Sequence, residues 1–235
     1  MADITVDLNA DLGEGVTDDN GLLEVVTSAN VACGFHAGDA ATMRRVCHGA
    51  AARDVAVGAQ VSYRDREGFG RRAMDVDADE LIELVVEQLD ALDAAARAEG
   101  IRVTYVKPHG ALYNRIADDP EQADAVAAAI ARFDPALAML GLPNSASANA
   151  AAQHGLRFVS EAFADRAYTA NGRLVPRSEP GAVITDAAAV AVQAVRLAKS
   201  AESICVHGDT PGAVTLAHAV RTALTEAGVY LRRFA

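Results

Sequence analysis

The sequence predicts an α/β fold with a parallel sheet, and three observations lead to that class. Short apolar runs alternate with longer alanine-rich stretches of helical character along the chain. Polar residues that can take part in catalysis or binding follow the ends of these runs, and parallel sheets have their functional sites at the carboxyl ends of the strands. The 235 residues contain no Pro/Gly/Ser-rich linker and no convincing repeat, so we expect a single domain over residues 1–235.

The first candidate strand covers Ile4 to Leu8, and its alternation of apolar and polar residues continues to Leu12. One face of such a strand is apolar throughout, while the other carries Asp7, Asn9 and Asp11. We predict that the acidic face points into the interior of the sheet and forms one wall of a site. Asp11 would then lie nearest the mouth of that site.

The other candidate strands are short apolar runs, and the candidate helices lie between them. The strands are Ser28 to Ala32, Ala56 to Gln60, Val103 to Val106, Ala136 to Leu140, Arg157 to Val159, Ser203 to Val206 and Val229 to Leu231. The helices are Ala40 to Arg53, Ala78 to Glu99, Pro120 to Arg132, Ser145 to His154, Asp186 to Ser200 and Pro211 to Ala227. Strands separated by helices indicate parallel pairing, because two parallel neighbours need a crossover connection.

Two of these helices carry clear end signals. Asp77 can cap the helix that follows it, and Gly100 can end that helix in a left-handed turn. Thr210 followed by Pro211 predicts a cap and a first-turn proline for the last helix.

Composition and charge narrow the classes of partner. Hydrophobic residues make up 51% of the chain and aromatic residues 5%, so the core must consist of Ala, Val, Leu and Ile. A net charge of −11, with no Lys/Arg cluster longer than a pair, argues against nucleic-acid and membrane-surface binding and favours small-molecule or protein partners. The three cysteines form no CxxC pair and there is no signal-peptide pattern, so we expect a cytoplasmic protein.

Polar clusters follow six of the candidate strands, and this convergence is the main functional signal. The clusters contain Asp7, Asn9, Asp11 and Glu14; His36 and Asp39; Gln60, Tyr63 and Arg64; Lys107, His109, Tyr113 and Asn114; Glu161, Asp165 and Arg166; and His207 and Asp209. Two long irregular segments, Ser62 to Val76 and Phe163 to Ile184, are interpreted as loops over the same site.

The residue types in these clusters leave two chemistries open. His36 with Asp39, His109, and His207 with Asp209 could ligate a divalent metal, although their spacing is not a tight metal signature. The same imidazoles and carboxylates could instead act as general acids and bases. The sequence has no GxSxG elbow, no Walker A loop and no GxGxxG motif, so serine-hydrolase and common nucleotide-binding signatures are missing.

Five motifs, in this order and at these distances, resemble those of the LamB/YcsF family, which supplies the A component of bacterial 5-oxoprolinase. They are DLNADLGEG, SANVACGFHAGD, GAQVSYRDREGFGRR, KPHGALYN and VHGDTPGAV. The resemblance implies an irregular seven-stranded β/α barrel like that of the glycoside hydrolase/deacetylase superfamily, so one of the eight candidate strands would lie outside it or would not form. It also implies ATP-dependent opening of 5-oxo-L-proline to L-glutamate, with ATP as co-substrate and with the B and C subunits of 5-oxoprolinase as partners.

The implied activity suggests roles for the clustered residues. A phosphorylated or oxyanionic intermediate would need Lys107 beside it, and a water nucleophile would need a base such as Asp11, His109 or Asp209. We expect the other members to bind substrate: Asp7, Asn9, Glu14, His36, Asp39, Gln60, Tyr63, Asn114, Glu161, Arg166 and His207. No residue is assigned as a metal ligand, while a divalent ion such as Mg²⁺ is compatible with ATP chemistry.

ATP would sit at the top of the barrel, on loop backbone and on basic side chains such as Arg64, Lys107 and Arg166. Two other functions remain open from the residues: a metal-dependent deacetylase or amidohydrolase on the same barrel, and a non-catalytic substrate-binding subunit.

Overall fold

Seven parallel strands close into a barrel in the computed structural model, which describes residues 4–235. The strands are β1 Thr5–Leu12, β2 Ser28–Ala32, β3 Ala56–Gln60, β4 Val103–Val106, β5 Ala138–Gly141, β6 Phe158–Phe163 and β7 Ser203–Val206. Consecutive strands from β2 to β7 are neighbours, and β1 closes the barrel by pairing with both β7 and β2. A short β8, Tyr230–Leu231, pairs with β1 outside the barrel. The predicted irregular seven-stranded barrel is therefore confirmed, and the eighth candidate strand forms outside it.

Eight helices occur in the described part of the chain, and two of them are absent from the sequence prediction. The helices are α1 Asp19–Leu23, α2 Ala40–Ala51, α3 Ala78–Ala98, α4 Gly110–Asp118, α5 Pro120–Phe133, α6 Ala146–Gln153, α7 Ala187–Leu197 and α8 Ala213–Glu226. The unpredicted α1 is short and contains a central glycine, while α4 begins with a glycine inside a motif interpreted as a strand end. Both helices are short, and the polar residues around α4 indicate a strand end rather than a helix. Within residues 4–235, no helix has the length and apolar character needed to cross a membrane.

Several element boundaries differ from the predicted ones. The first strand continues to Leu12, and β6 continues to Phe163, because both keep backbone pairing with their neighbours beyond the predicted ends. The predicted cap at Thr210 and Pro211 is wrong: α8 starts after Gly212, and the Thr210 hydroxyl instead donates to Asp165. Asp77 and Gly100 flank α3 as predicted.

The alternation in β1 separates the two sides of the barrel wall. Val6, Leu8, Ala10 and Leu12 are buried in the main apolar core, which lies between the strands and the surrounding helices. Burial of a valine or leucine side chain contributes about 1.5 to 3 kcal/mol. The alternate residues of β1 point into the barrel. Because burial of the apolar face fixes the orientation of the strand, the acidic face points towards the barrel interior.

An apolar plug fills the amino-terminal half of the barrel. The Tyr105 ring packs edge-on against Phe234 at a centroid distance of 5.0 Å, and its hydroxyl donates to Asn30 Oδ1 at 2.7 Å. Leu140 and Val159 complete this cluster from β5 and β6. The plug confines the polar interior to the carboxyl ends of the strands.

Gly58 of β3 leaves the space that the Tyr105 ring occupies. A Cβ atom built on Gly58 would lie 2.1 Å from Tyr105 Cε2. Gly58→Ala is therefore expected to lower the free energy of unfolding by about 3 kcal/mol, as overpacking of a buried site does. Urea denaturation measures this loss. In a Tyr105→Leu background, Gly58→Ala should lower the free energy of unfolding by a clearly smaller amount. An equal loss in both backgrounds would contradict the explanation.

Candidate functional site

A hydrogen-bonded column of polar side chains runs through the barrel interior from β1. Asn9 Nδ2 donates to Glu161 Oε1 at 3.1 Å and to Ser203 Oγ at 2.7 Å. Asn30 Nδ2 donates to Asn9 Oδ1 at 2.7 Å and to Asp11 Oδ1 at 3.0 Å. The prediction that the acidic face of the first strand points inward is confirmed.

Asp7 lies at the inner end of this column, away from the mouth of the barrel. Its carboxylate accepts hydrogen bonds from the hydroxyls of Thr27, Ser28 and Ser203. Burial raises the pKa of Asp7 to about 6, because these hydroxyls offset only part of the cost of removing a charge from water. The structure therefore does not bring Asp7 to a position where it could contact a substrate.

The buried Asp7 predicts an unusual pH dependence of stability. Its pKa in the folded protein is about 6 against an ordinary value of 3.8, so folding favours the protonated form. This contribution is fully present below the ordinary pKa and is lost as pH rises through the folded one. Between pH 5 and pH 7 the free energy of unfolding of the wild type should fall by about 1 kcal/mol relative to that of Asp7→Asn. Urea denaturation at both pH values measures this difference, and parallel profiles for the two proteins would contradict it.

Lys107, which follows β4, lies between two carboxylates at the mouth of the column. Its Nζ is 2.9 Å from Asp11 Oδ1, 3.1 Å from Glu161 Oε1 and 3.0 Å from Cys205 Sγ. Burial alone lowers the pKa of Lys107, but Asp11 and Glu161 raise it well above its ordinary value. Burial alone raises the pKa of Asp11, and Lys107 reverses this and brings the pKa far below its ordinary value. Lys107 is therefore a buried cation, and Asp11 is a carboxylate with little tendency to take up a proton.

A buried aspartate and histidine pair lies on the β6 and β7 side of the barrel. His207 Nδ1 is 2.9 Å from Asp165 Oδ1, and the Thr210 hydroxyl donates to Asp165 Oδ2 at 2.5 Å. Burial raises the pKa of Asp165, but His207 and Thr210 outweigh it and hold that pKa below its ordinary value. The His207 ring also stacks on Phe163 at a centroid distance of 4.8 Å. A carboxylate bound to Nδ1 favours the tautomer that leaves a lone pair on Nε2.

A third cluster joins Glu14, His36, Gln60 and His109. Glu14 lies between two glycines, at positions 13 and 15, whose φ angles of +74° and +75° turn the chain back over the barrel mouth. Gln60 Nε2 donates to Glu14 Oε1 and to His109 Nδ1, both at 3.0 Å. The two imidazole rings stack at 3.9 Å. Glu14, His36 and His109 each offer one donor atom within 4.8 Å of the others, so this set could hold a metal ion.

Burial decides the charge states in this third cluster. It lowers the pKa of His109 well below its ordinary value, with a further contribution from the neighbouring His36. It also raises the pKa of Glu14. His109 is therefore a neutral imidazole, and its Nε2–H donates to the Phe69 carbonyl at 3.0 Å.

A cavity of about 740 Å³ opens at the carboxyl ends of the strands, beside the three clusters. Lys107, His109 and His207 form part of its wall. Both predicted loops contribute to it: Arg71 comes from the segment Ser62 to Val76, and the segment Phe163 to Ile184 supplies further basic residues. The basic residues of that second loop are Arg166, Arg173 and Arg177.

The arginines of the cavity differ in their partners. Asp209 holds both Arg71 and Arg177, the latter at 3.2 Å, and Arg173 pairs with Asp118 at 2.7 Å. The buried Arg166 donates instead to backbone carbonyls, those of residues 175 and 182. Burial and the neighbouring Arg177 lower the pKa of Arg166 to about 10. The cavity therefore presents positive charge that is only partly compensated by the protein.

The structure brings most of the predicted site residues together. Those in the barrel mouth or on the cavity wall are Asn9, Asp11, Glu14, His36, Gln60, Lys107, His109, Asn114, Glu161, Arg166 and His207. Asp209 lies behind the cavity arginines as their counterion.

Three predicted positions lie elsewhere, in addition to the buried Asp7. Asp39 caps α2, where its carboxylate accepts from the Thr42 amide at 2.7 Å. The Tyr63 hydroxyl donates to Gln122 at 2.9 Å in the core outside the barrel. Arg64 pairs with Glu87 on the surface, so it is not in a position to hold a nucleotide at this cavity. Residues directly after a strand can turn either into the barrel or away from it, and the sequence pattern does not distinguish the two.

Four functional candidates receive no role from the sequence alone. Arg71, Arg173 and Arg177 lie inside the long loops, and Asp165 lies in a polar cluster whose pattern gives it no specific role. Their signal in the sequence is the unusual length of the two loops, which indicates function but does not identify particular residues.

Comparisons with known proteins agree with this architecture. Residues 6–235 match the LamB/YcsF family. The chain is 57% identical to the A subunit of 5-oxoprolinase from Streptomyces avermitilis, covering 98% of this chain and 100% of that relative. It is 41% identical to the solved Lactam Utilization Protein from Thermus thermophilus, with a TM-score of 0.92 and coverage of 98% and 100% of the two chains.

A more distant structure shares the fold alone. The family 4 carbohydrate esterase from Streptomyces lividans is 12% identical, with a TM-score of 0.55 and coverage of 98% of this chain and 93% of that chain. This likeness confirms the predicted glycoside hydrolase/deacetylase-like barrel.

Proposed function

Because the chain belongs to the LamB/YcsF family, we propose that it is the A component of an ATP-dependent 5-oxoprolinase. The reaction is the opening of the 5-oxo-L-proline ring to L-glutamate, coupled to hydrolysis of ATP to ADP and phosphate. Two further components, the B and C subunits, would act with it. The names of the relatives, each of them one subunit of 5-oxoprolinase, support a multi-subunit enzyme of the hydrolase class.

The arginine-lined cavity is the observation that carries this proposal. The substrate is a five-membered lactam with one carboxylate, and it fills only a fraction of about 740 Å³. The remaining space, beside Arg71, Arg166 and Arg177, suits a second and strongly anionic ligand such as a phosphate chain. Arg166 has backbone carbonyls rather than carboxylates as partners, which leaves its charge available to an anion.

The proposed chemistry begins with activation of a resonance-stabilised amide. Transfer of the γ-phosphoryl group of ATP to the amide oxygen releases ADP and makes the ring carbon electrophilic. Water then adds to this carbon, and the ring C–N bond breaks with a proton passing to nitrogen, which leaves γ-glutamyl phosphate. A second water hydrolyses this acyl phosphate to glutamate and inorganic phosphate. Negative charge develops near the amide oxygen, where the buried cation Lys107 stabilises it without protein reorganisation.

His207 is the residue best placed to activate the water. Asp11 is held as a carboxylate by Lys107, and Asp209 is held by two arginines. Both ring nitrogens of His109 already have partners. His207 has Asp165 on Nδ1 and forms part of the cavity wall, so its Nε2 can accept a proton from a water there. We therefore propose His207 as the general base, in place of Asp11, His109 and Asp209.

A reconstitution assay tests the proposed function. The purified chain is mixed with its partner subunits, 5-oxoproline and ATP, and glutamate and phosphate are measured. We expect glutamate only when ATP and the partners are both present, with one phosphate per glutamate. Glutamate formation without ATP, or none in the complete mixture, would overturn the proposal. Full activity after replacement of both Asp11 and His207 would instead support a non-catalytic role in substrate binding.

The second candidate is a metal-dependent deacetylase or amidohydrolase, and the donor set of Glu14, His36 and His109 is the observation that favours it. Such an enzyme would release acetate from N-acetylated sugars or peptides without ATP. Acetate release by the chain alone, dependent on added metal, would favour this candidate over the first.

A further inference from the structure

We propose that Glu14, His36 and His109 form a binding site for one divalent transition-metal ion of the Zn²⁺ class. The inference does not depend on which reaction the protein catalyses. It rests on the separation of the donor atoms, on the hydrogen bonds behind the two imidazoles and on an unpartnered carboxylate oxygen.

The donor atoms have separations close to those of a metal site. Glu14 Oε1 is 3.6 Å from His36 Nε2 and 3.5 Å from His109 Nδ1. Ligands about 2.1 Å from a tetrahedral ion lie about 3.4 Å from one another. Two edges of the ligand triangle therefore already match, and the third is within 4.8 Å.

Each imidazole also has the outer partner that metal-bound histidines need. His109 Nε2 faces the Phe69 carbonyl, which can only accept, so this nitrogen carries the hydrogen. The lone pair of Nδ1 accepts from Gln60 Nε2, and an ion would take the place of this donor. His36 Nδ1 is 3.0 Å from the Ser62 hydroxyl, whose own hydrogen can pass to the Tyr63 carbonyl at 2.9 Å. His36 Nε2 is 3.2 Å from Gln60 Oε1, which can only accept, so without an ion this nitrogen carries the hydrogen. An ion would replace Gln60 as the partner of Nε2, and the hydrogen would then lie on Nδ1, which donates to Ser62. These are the second contacts that fix the tautomer and orientation of metal ligands.

Glu14 has a donor atom that the protein leaves unused. Its Oε2 is buried and has no hydrogen-bond partner among residues 4–235. Its Oε1 accepts from the neutral amide of Gln60, and no lysine or arginine of the described residues forms an ion pair with this carboxylate, whose basic neighbours are the imidazoles of His36 and His109. A divalent ion would supply the missing positive charge and a ligand bond.

The donor set also selects the type of ion. Two imidazole nitrogens and one carboxylate suit Zn²⁺ and its transition-metal neighbours, whereas Mg²⁺ takes oxygen ligands and keeps much of its water. An ion here is thus distinct from any Mg²⁺ that accompanies ATP. His109 also forms part of the cavity wall, so the ion would lie at the edge of the cavity, where it can polarise an oxygen.

Metal titration of the full-length protein tests the site without any activity assay. The chelator-treated protein is titrated with Zn²⁺ by calorimetry, and metal content is measured after dialysis. We expect one Zn²⁺ per chain, retained against an excess of Mg²⁺, and a rise in melting temperature on binding. Glu14→Gln should weaken binding by at least about tenfold, and Ser62→Ala, which removes only the outer partner of His36, by about 10 to 100-fold.

Two controls keep the outcome interpretable. His218 is exposed on α8, so His218→Asn should leave Zn²⁺ binding unchanged. The melting temperature without metal shows whether each variant is folded, and Ser62→Ala keeps all three ligands if Glu14→Gln does not fold. Absence of stoichiometric binding, or equal affinity in the wild type, Glu14→Gln and Ser62→Ala, would overturn the proposal.

Discussion

Replacing Lys107 with methionine is expected to lower the turnover of the reconstituted enzyme by about 100 to 1000-fold, as loss of a charge-stabilising group in an active site does. Methionine keeps most of the volume of the side chain but removes the ammonium that contacts both Asp11 and Glu161. These two carboxylates would then share a buried space without a cation. The free energy of unfolding should fall by about 3 to 5 kcal/mol, the usual cost of breaking a buried ion pair from one side.

A second variant separates the effect on stability from the effect on activity. In Lys107→Met with Glu161→Gln, one of the unpaired charges is removed, so part of the lost stability should return while turnover stays low. The exposed pair of Arg64 and Glu87 provides the matched control. Arg64→Met should change neither quantity appreciably, because exposed pairs are screened by solvent. Near wild-type turnover in Lys107→Met would contradict the role of this cation.

Asp165→Asn is expected to lower kcat by about 1000 to 10,000-fold with little change in KM. The carboxylate accepts from His207 Nδ1, whereas the amide nitrogen of asparagine would donate to Nδ1 and favour a hydrogen on Nε2. The imidazole would then have no lone pair towards the cavity. Thr210 donates to the other carboxylate oxygen and helps to hold this orientation.

The kinetic pattern distinguishes a positioning role of Asp165 from a purely structural one. In Asp165→Asn, the pH profile of kcat should no longer show the group that acts as the base in the wild type. His207→Ala and the double variant should lose no more activity than Asp165→Asn alone. The exposed pair of Asp124 and His154, at 2.8 Å, is the matched control, and Asp124→Asn should leave kcat unchanged. Independent, multiplying losses for Asp165 and His207 would contradict their action as one unit.

The site shows where prediction from the sequence stops. His36, Lys107 and His109 are predictable because each follows an apolar run closely, and the register of a parallel barrel brings such positions to one end. The same rule assigns Asp39 and Tyr63 to the site, although one caps α2 and the other faces the outer core. Position after a strand predicts proximity to the mouth, but the turn geometry decides whether the side chain points inward.

The choice of general base shows the same limit. Asp11, His109 and Asp209 are acceptable bases by residue type. In the structure Lys107 stabilises the charge of Asp11, two arginines stabilise that of Asp209, and Gln60 donates to the lone pair of His109 Nδ1. His207 differs because its partner, Asp165, is 42 residues away and binds only one ring nitrogen. The spacing of these residues in the sequence does not predict the pairing of Asp165 with His207.

The sequence by itself determined the order of the strands and of six of the eight described helices, their parallel pairing and the inward direction of the acidic face of β1, and its resemblance to a known family implied the barrel. The strands and helices follow from periodicities of two and of about 3.6 residues, which the local chain expresses wherever it lies. Only the tertiary structure decided that Glu14 meets His36 and His109, that Asp165 binds His207 and that Asp209 holds two arginines. Closing the barrel between β7, β1 and β2 brings distant segments together, and that closure is a property of the whole chain rather than of any segment.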